Sequence, residues 1–295
     1  MKIITKIIPS LITLLLLSCN VSSNKQVELY QEENSNRYEL VWSDEFDYTG
    51  SPDPEKWDFE EGFVRNEEPQ WYQKQNAYVD GTCLVITAKK QIKHNPNYDP
   101  LSLDWTKNRK QANYTSASLT TAKRFDFKYG KIDIRAKIDT NGNSWPAFWL
   151  LGSRNLYQSP PVPFPVLGEI DVLEYYQNSI YANLFWQGKK GLNKSVQKYR
   201  IDRFTPPIDW SRYHIWTLIH THDSIEIVLD YTYVLNKINI SDIKNYYAKN
   251  NPFRENFYFI LNLALKDKNK KITYPNNNED AIFKVDYVRV YKQIK

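Results

Sequence analysis

The sequence predicts an all-β fold, an antiparallel sandwich or jelly roll in a single domain. From residue 83 to residue 292, one short segment after another either alternates polar and apolar residues or is continuously apolar, as strands are. Sustained helical periodicity is missing, so the crossover helices of a parallel sheet are not predicted. With 295 residues, 41% of them hydrophobic, the chain can bury one large core.

The predicted strands follow one another along the chain, and a Pro-rich stretch at 153–167 separates two of them. That stretch is predicted as a surface connection, because proline cannot pair within a central strand. The strand sequences are CLVITAKK (83–90), SASLTTAKRFDF (116–127), GKIDIRAKI (130–138), WPAFWLLG (145–152), EIDVLEYY (169–176), IYANLFWQG (180–188), YHIWTLIHTH (213–222), SIEIVLDYTYVL (224–235), FYFILNLAL (257–265) and FKVDYVRVYK (283–292).

The N-terminal residues predict export and lipidation. Residues 1–18 have a short basic start and an apolar run, the pattern of a signal peptide. The sequence LLSC ending at Cys19 resembles a bacterial lipobox, so Cys19 is predicted to carry the lipid; a plain signal peptide cut nearby is the alternative. Residues 19–36 are predicted as a polar tether and residues 37–295 as the folded catalytic domain. The expected location is the bacterial cell envelope, lipid-anchored on the periplasmic or surface face of the outer membrane.

Composition excludes one class of partner and favours another. The net charge is +5 and the pI is about 8.8, but basic residues are interleaved with acids, so nucleic acid is not expected to bind. The 22 Tyr and nine Trp residues supply flat amphipathic rings, which suit sugar faces as well as cores. A monomer is expected.

The stretch GEIDVLEYY places three carboxylates within six residues of a β-branched, apolar run: Glu169, Asp171 and Glu174. In a regular strand the first two share a face and Glu174 points the other way. A one-residue bulge at residues 172–173 would bring all three to one face, and such bulges re-aim side chains beside active sites. An exposed edge strand or a site for a hard cation are the alternatives, although the apolar neighbours disfavour an edge.

With the bulge, the spacing of the outer carboxylates matches a known chemistry. Four effective steps separate the two backbone positions by roughly 13 Å, and inward-leaning side chains leave roughly 5.5 Å between the carboxyls. Retaining glycosidases hold their two carboxyls about 5 to 5.5 Å apart. Glu169 would then attack the anomeric carbon, Glu174 would act as acid and base, and Asp171 would help to hold a shared proton.

GEIDVLE resembles the signature of glycoside hydrolase family 16 in its bulged form, Glu-x-Asp-x-x-Glu, found in laminarinases, agarases and carrageenases. Six further blocks resemble the family in the family's order: VWSDEFD, RNEEPQWYQ, YTSASLTT, YGKIDIRAKI, SWPAFWLLG and VDYVRVY. The resemblance implies a concanavalin-like β-jelly roll of two curved antiparallel sheets with a sugar-binding cleft. It also implies a retaining mechanism with Glu169 as nucleophile, Glu174 as acid/base, Asp171 as assistant and no catalytic cofactor.

The resemblance also implies a set of residues that bind the polysaccharide. Trp145 and Trp149 are four residues apart, so both rings face one side of a regular strand, where they would stack on sugars; core packing is the alternative. The RNEE-QWY block supplies four more residues, for which a surface Arg–Glu pair is the alternative, and the strand after the acids supplies two. These six residues are Arg65, Asn66, Glu67, Trp71, Asn183 and Trp186.

The blocks look most like members that act on β-1,3- or mixed β-1,3/1,4-glucan, with departures that leave other substrates open. Phe164 and Pro165 replace a Trp-Pro pair, LALKDKNKK replaces a Gly-rich loop, and a long loop at 91–113 is expected to add a cleft wall. The alternatives are an agarase-like endo-galactanase, an enzyme that cuts host glycans, and a non-catalytic surface glycan-binding protein.

A structural Ca²⁺ is the one metal that the resemblance implies. Asp286 in VDYVRVY and a carbonyl at Gly81 match the family positions for this ion on the face away from the cleft. The alternative is that Asp286 makes a hydrogen bond at a strand end.

Overall fold

The computed structural model describes residues 28–30, 37–140, 144–243, 251–265 and 280–294. Within these ranges the chain is almost entirely β-strand, and no helix in them has the length and apolar character needed to cross a membrane. The signal peptide, Cys19 and residues 266–279, which include the whole KDKNKK sequence, lie outside the described residues.

The strands, in chain order, are β1 (Glu28–Leu29), β2 (Arg37–Asp44), β3 (Thr49–Gly50), β4 (Asp58–Phe59), β5 (Gln70–Tyr72), β6 (Ala77–Asp80), β7 (Leu84–His94), β8 (Gln111–Ser116), β9 (Ser118–Thr120), β10 (Gly130–Lys137), β11 (Ser144–Gly152), β12 (Glu169–Tyr176), β13 (Ser179–Gly188), β14 (Gly191–Arg200), β15 (His214–His220), β16 (Ser224–Leu229), β17 (Tyr233–Asn239), β18 (Phe257–Leu265) and β19 (Ala281–Ile294). The helices are short: α1 (Trp105–Asn108), α2 (Arg154–Tyr157) and the 3₁₀ turns Lys74–Asn76, Ile201–Arg203, Ile240–Asp242 and Pro252–Arg254.

The strands form two sheets. The outer sheet has the order β1-β17-β16-β15-β10-β19-β7-β6-β3, with β2 paired to β19, β8 to β7 and β5 to β8. The cleft sheet has the order β14-β13-β12-β11-β18-β9-β4. All pairs are antiparallel except β5 with β8. The predicted all-β fold with two antiparallel sheets is therefore confirmed.

The core lies between the two sheets and follows from the two-residue period of strands. Phe148 and Leu150 on β11 are fully buried, and they pack in one cluster with Phe259 on β18 and Phe283 and Trp216 of the outer sheet. Burying one such side chain contributes about 1.5 to 3 kcal/mol. The alternate residues of the same β11 strand, Trp145 among them, are left on the opposite face of the cleft sheet.

Several segments differ from the sequence prediction. Strands β2 and β14 were not predicted, and the predicted strand at 224–235 is divided between β16 and β17. Part of the predicted tether is a strand: β1 pairs with β17, and the amide of Tyr30 donates to the carbonyl of Thr232 at 2.7 Å. A sheet edge offers unpaired backbone groups, which a polar segment can satisfy. The predicted loop at 91–113 is also shorter, because β7 continues to residue 94 and β8 begins at 111.

Candidate active site

The bulge predicted in the acidic strand is present. Asp171 on β12 lies opposite Asn183 on β13, and Glu174 lies opposite Tyr181, so three steps on β12 match two on β13. Residues 172 and 173 are both fully buried in the core. Since the extra residue changes the parity of the strand, Glu174 returns to the same face as Asp171.

A partly open cleft of about 410 Å³ lies on that face. Its floor contains Glu169, Asp171 and Glu174 of β12, together with residues of β11 and β18, and Trp145 and Trp149 stand beside the acids. One wall comes from residues 65–68, here called the Arg65 segment, and another from the Pro-rich connection before β12. The structure thus brings together residues that are about 200 positions apart in the chain.

Two neutral side chains donate hydrogen bonds to the carboxylates of β12. The side-chain amide of Asn183 donates to Asp171 Oδ2 at 3.0 Å and to Glu174 Oε2 at 2.8 Å. The indole Nε1 of Trp145 donates to Glu174 Oε1 at 2.7 Å. Both donors hold the plane of the Glu174 carboxyl, and the shared amide ties Asp171 to it.

Burial and mutual repulsion favour the protonated forms of two of these acids. Burial, followed by the charge of Glu174, raises the pKa of Glu169 to about 7, while the charge of Arg65 acts in the opposite direction. Burial and the charges of Glu169 and Glu174 raise the pKa of Asp171 well above its ordinary value, against the hydrogen bond from Asn183. The cluster therefore retains at least one proton near neutral pH.

Two contacts, one hydrogen bond and one cation, fix the Trp149 ring at the cleft floor. Its Nε1 donates to Asn262 Oδ1 on β18 at 2.8 Å, and the guanidinium of Arg65 lies 5.0 Å from the ring centroid. Arg65 itself forms a salt bridge with Glu60, which also accepts a hydrogen bond from Ser118 Oγ at 2.6 Å. A cation is thereby held beside the tryptophan and the acids.

A buried network behind the Arg65 segment contains residues that the sequence analysis missed. Glu68 accepts hydrogen bonds from Gln70 Nε2 at 2.7 Å, Tyr72 OH at 3.1 Å and Asn66 Nδ2 at 3.2 Å. Asn262 Nδ2 in turn donates to Tyr72 OH at 3.1 Å. Burial raises the pKa of Glu68 despite the charge of Arg65. The isolated Asn262 in the apolar run FILNLAL was a sequence signal for this network.

Three of the predicted cleft residues lie elsewhere. Glu67 has a side chain that is 69% exposed, because φ angles of 55° and 51° at Asn66 and Glu67 turn the chain away from the cleft. Trp71 is buried against Phe63, with ring centroids 5.3 Å apart, outside the cleft lining. These two positions correct the prediction that the whole RNEE-QWY block lines the cleft.

Trp186 is the third displaced residue. Its ring is 8% exposed and packs in the core, 6.0 Å from the ring of Phe253. Strand alternation explains the difference, because Trp186 is three positions from Asn183 and must face the opposite side of β13. Asn183 lies beside the acids, to which its amide donates, and its role in substrate binding stays a prediction.

The remaining wall is apolar and was noted in the sequence only as a departure from the family. Phe164 lines the cleft with a ring that is 53% exposed. Asn155 holds this connection through two hydrogen bonds with the backbone of Val162, at 2.8 and 2.7 Å. An exposed aromatic ring at a fixed position is suited to contact with a sugar face.

One of the two residues predicted to hold Ca²⁺ has another partner. Asp286 forms a salt bridge with Arg135, so a guanidinium already balances the carboxylate. Among the described residues no group of three His, Cys, Asp or Glu side chains could hold a metal ion. The donor set as it stands does not fit Ca²⁺ without release of Arg135, and the site stays a prediction.

Comparisons with known proteins identify the family of this chain. The family model described as glycosyl hydrolases family 16 matches residues 63–262. The chain is 30% identical over 281 residues to a β-glucanase of Rhodothermus marinus, covering 90% of this chain and 89% of the relative. A solved laminarinase from Rhodothermus marinus is 28% identical with a TM-score of 0.70, covering 88% of this chain and 100% of that one.

A second solved structure comes from work on endo-acting O-glycanases that initiate mucin breakdown in the human gut microbiota. It is 30% identical with a TM-score of 0.76, covering 86% of this chain and 91% of that one. The two-sheet fold is thus a β-jelly roll shared with laminarinases. The chain belongs to glycosyl hydrolases family 16 and is a glycoside hydrolase.

Proposed function

We propose that this protein is a retaining endo-glycosidase that cuts internal β-linkages of β-1,3- or mixed β-1,3/1,4-glucan. The observation that carries the proposal is the bulge in β12, which puts Glu169, Asp171 and Glu174 on the floor of one open cleft. The cleft is partly open to solvent and is not an enclosed pocket, which suits cleavage inside a chain.

In the first step Glu169 attacks the anomeric carbon while Glu174 gives its proton to the leaving glycosidic oxygen. Glu169 must be ionised for this attack, and the charge of Arg65 favours that form. The bond from the carboxylate oxygen to carbon forms as the glycosidic bond breaks. In the second step Glu174 removes a proton from water, which releases the sugar from Glu169.

Asp171 and the two neutral donors support this cycle. A protonated Asp171, which burial favours, stabilises the ionised form of a neighbouring carboxylate. Asn183 and Trp145 fix the orientation of Glu174, which must face the leaving oxygen and later the water.

A β-linked galactan or a host O-glycan is the second candidate substrate. The observation that favours it is the TM-score of 0.76 with the structure from the O-glycanase work, against 0.70 for the laminarinase. The exposed Phe164 and the apolar wall around it leave room for a sugar that presents an apolar edge.

We also propose that Cys19 carries the lipid that anchors the protein, as a monomer, in the bacterial cell envelope. The lipobox-like sequence before Cys19 supports this placement. Metabolic labelling with a fatty acid tests it, with Cys19→Ala as the control. Equal labelling of both proteins would contradict the proposal.

Product analysis tests the catalytic proposal. The chain from Asn20 onward, which retains the β1 pairing, is incubated with laminarin, mixed-linkage glucan, agar, carrageenan and mucin glycans, with Glu169→Gln in parallel. Internal cleavage of a β-glucan that is lost in the variant supports the first substrate. Cleavage of a galactan or mucin glycan alone supports the second. If glycan binds but nothing is cut, the protein is a glycan-binding member of the family.

A further inference from the structure

A side chain outside the cleft grips the backbone of the Arg65 segment. Arg109 Nη1 donates to the carbonyl oxygen of Glu68 at 2.7 Å, and Nη2 donates to that of Glu67 at 2.8 Å. The same guanidinium lies 4.9 Å from the ring centroid of Trp105 and 5.3 Å from that of Phe63. Two hydrogen bonds and two rings therefore fix its plane.

The Arg65 segment needs such support because of its backbone. Asn66 and Glu67 have φ angles of 55° and 51°, a left-handed conformation that residues other than glycine adopt at a cost. The segment nevertheless presents Arg65 and Glu68, together with Asn66, to the cleft. Tertiary contacts must hold a conformation that the local sequence disfavours.

Arg109 itself is held by the loop at 95–110, here called the brace loop. Asn95 Nδ2 donates to the carbonyl oxygens of Thr106 at 2.8 Å and of Arg109 at 2.9 Å. Asp104 caps α1 by accepting from the amide of Thr106 at 3.0 Å. The brace loop does not line the cleft among the described residues, contrary to the cleft wall expected from the sequence. Its polar bonds fix the position of one arginine.

We propose that Arg109 is a positioning residue of the hydrolase, which holds the Arg65 segment so that Arg65 stands beside Trp149 and the carboxylates. The inference rests on the proposed role of Arg65 beside Glu169. Arg109 acts chiefly through two main-chain carbonyls. Its guanidinium also lies 3.9 Å from the carboxylate of Glu67, but an ion pair with so exposed a partner contributes little. Its effect therefore needs no direct contact with the polysaccharide.

Kinetics and hydrogen exchange of three variants test this role. Arg109→Ala removes both hydrogen bonds to the segment, and Arg109→Lys keeps one donor. Lys107→Gln is the matched control, because it removes a charge from the same loop, where the Lys107 ammonium lies 3.8 Å from Asp104. On whichever polysaccharide the wild type cuts, kcat/KM of Arg109→Ala should fall about 10- to 100-fold, as expected when a site is displaced by about 1 Å. Arg109→Lys should be intermediate, and Lys107→Gln should be unchanged.

A rescue experiment separates positioning from a general loss of folding. Millimolar guanidinium chloride should restore part of the Arg109→Ala activity, while sodium chloride at the same concentration should not. Amide exchange of residues 65–68 should be faster in Arg109→Ala, and exchange in β16 and β17 should be unchanged.

Unchanged kcat/KM with unchanged exchange at 65–68 would overturn the proposal. Faster exchange throughout the cleft sheet without guanidinium rescue would also overturn it, because Arg109 would then act on stability alone. If the wild type cuts no polysaccharide in the panel, the proposed function fails, but the exchange measurement still decides whether Arg109 holds the segment.

Discussion

Two buried aspartates, one in each sheet, have opposite surroundings. Asp133 on β10 of the outer sheet is 2% exposed and accepts hydrogen bonds from Thr217 Oγ1 and Tyr231 OH, both at 2.7 Å. The ammonium of Lys131 lies 3.4 Å away. Asp171 on β12 of the cleft sheet is 8% exposed and shares one amide with Glu174.

The difference shows what distinguishes a structural carboxyl from a reactive one. Asp133 has donors and a cation that compensate for its removal from water. Asp171 instead has two acidic neighbours, and its pKa is raised by burial and by their charges. A cluster that is under-compensated in this way binds and releases protons, which a structural carboxyl has no reason to do.

The strongest test of this distinction is Glu169→Gln. Removing the nucleophile should lower kcat by about 10⁴-fold or more. The melting temperature should be unchanged or higher, because a repulsive charge is removed from beside Glu174. Initial rates of product formation measure the effect on kcat, and thermal unfolding measures the effect on stability. Near-normal turnover would show that Glu169 is not the nucleophile.

A matched pair of amide substitutions compares the two sheets directly. Asp171→Asn should lower kcat about 10²-fold, as expected for a group that holds a proton next to the reacting carboxyls. It should cause little loss of stability. Asp133→Asn should lower the free energy of unfolding by about 1 to 3 kcal/mol, because buried donors lose a charged acceptor, and should leave kcat intact. Urea unfolding and initial rates of both variants give the comparison. The reverse pattern would show that the outer-sheet residue is the functional one.

Trp145→Phe tests a single hydrogen bond of the cleft cluster. The ring is kept, but the donor to Glu174 Oε1 is lost. Glu174 is protonated when it acts as the acid, and a neutral hydrogen bond contributes about 0.5 to 1.5 kcal/mol, so kcat/KM should fall by up to about tenfold. Binding of oligosaccharide to the inactive Glu169→Gln background should be unaffected by the added change. Weaker binding there would assign Trp145 a stacking role instead.

The smallest expected effect is on the pH dependence of stability. Burial and Glu174 raise the pKa of Glu169 to about 7, above the value near 4.5 of an unfolded chain. Between these two values the folded protein holds a proton that the unfolded chain has released, so the contribution to the free energy of unfolding falls as pH rises through that window. Urea unfolding at pH 5 and pH 8 should show a shallower decline in Glu169→Gln. An equal decline in both proteins would contradict the raised pKa.

Activity has the opposite dependence on the same proton. Attack requires an ionised Glu169, so the acidic limb of kcat/KM should lie near pH 7. Because kcat/KM reports the free enzyme, a limb near pH 4 would contradict the raised pKa of Glu169.

The local sequence pattern was enough to predict the class of fold and the bulge in the acidic strand. Alternation of polar and apolar residues identified most of the long strands, without β2 and β14, and it placed Phe148 and Leu150 in the core and Trp145 on the cleft side. The bulge follows from three acids in an apolar run, which it brings to one face. The same alternation puts Trp186 and Asn183 on opposite faces of β13.

What the sequence determined by itself is therefore the class of fold and the bulged strand that carries the three acids on one face, because these depend on residues close together in the chain. Only the tertiary structure decided the surroundings. Asn262 meets Tyr72 across 190 positions, and Arg109 reaches the Arg65 segment from 41 and 42 positions away. Burial, pKa and the support of a left-handed turn depend on such distant contacts, which no local periodicity encodes.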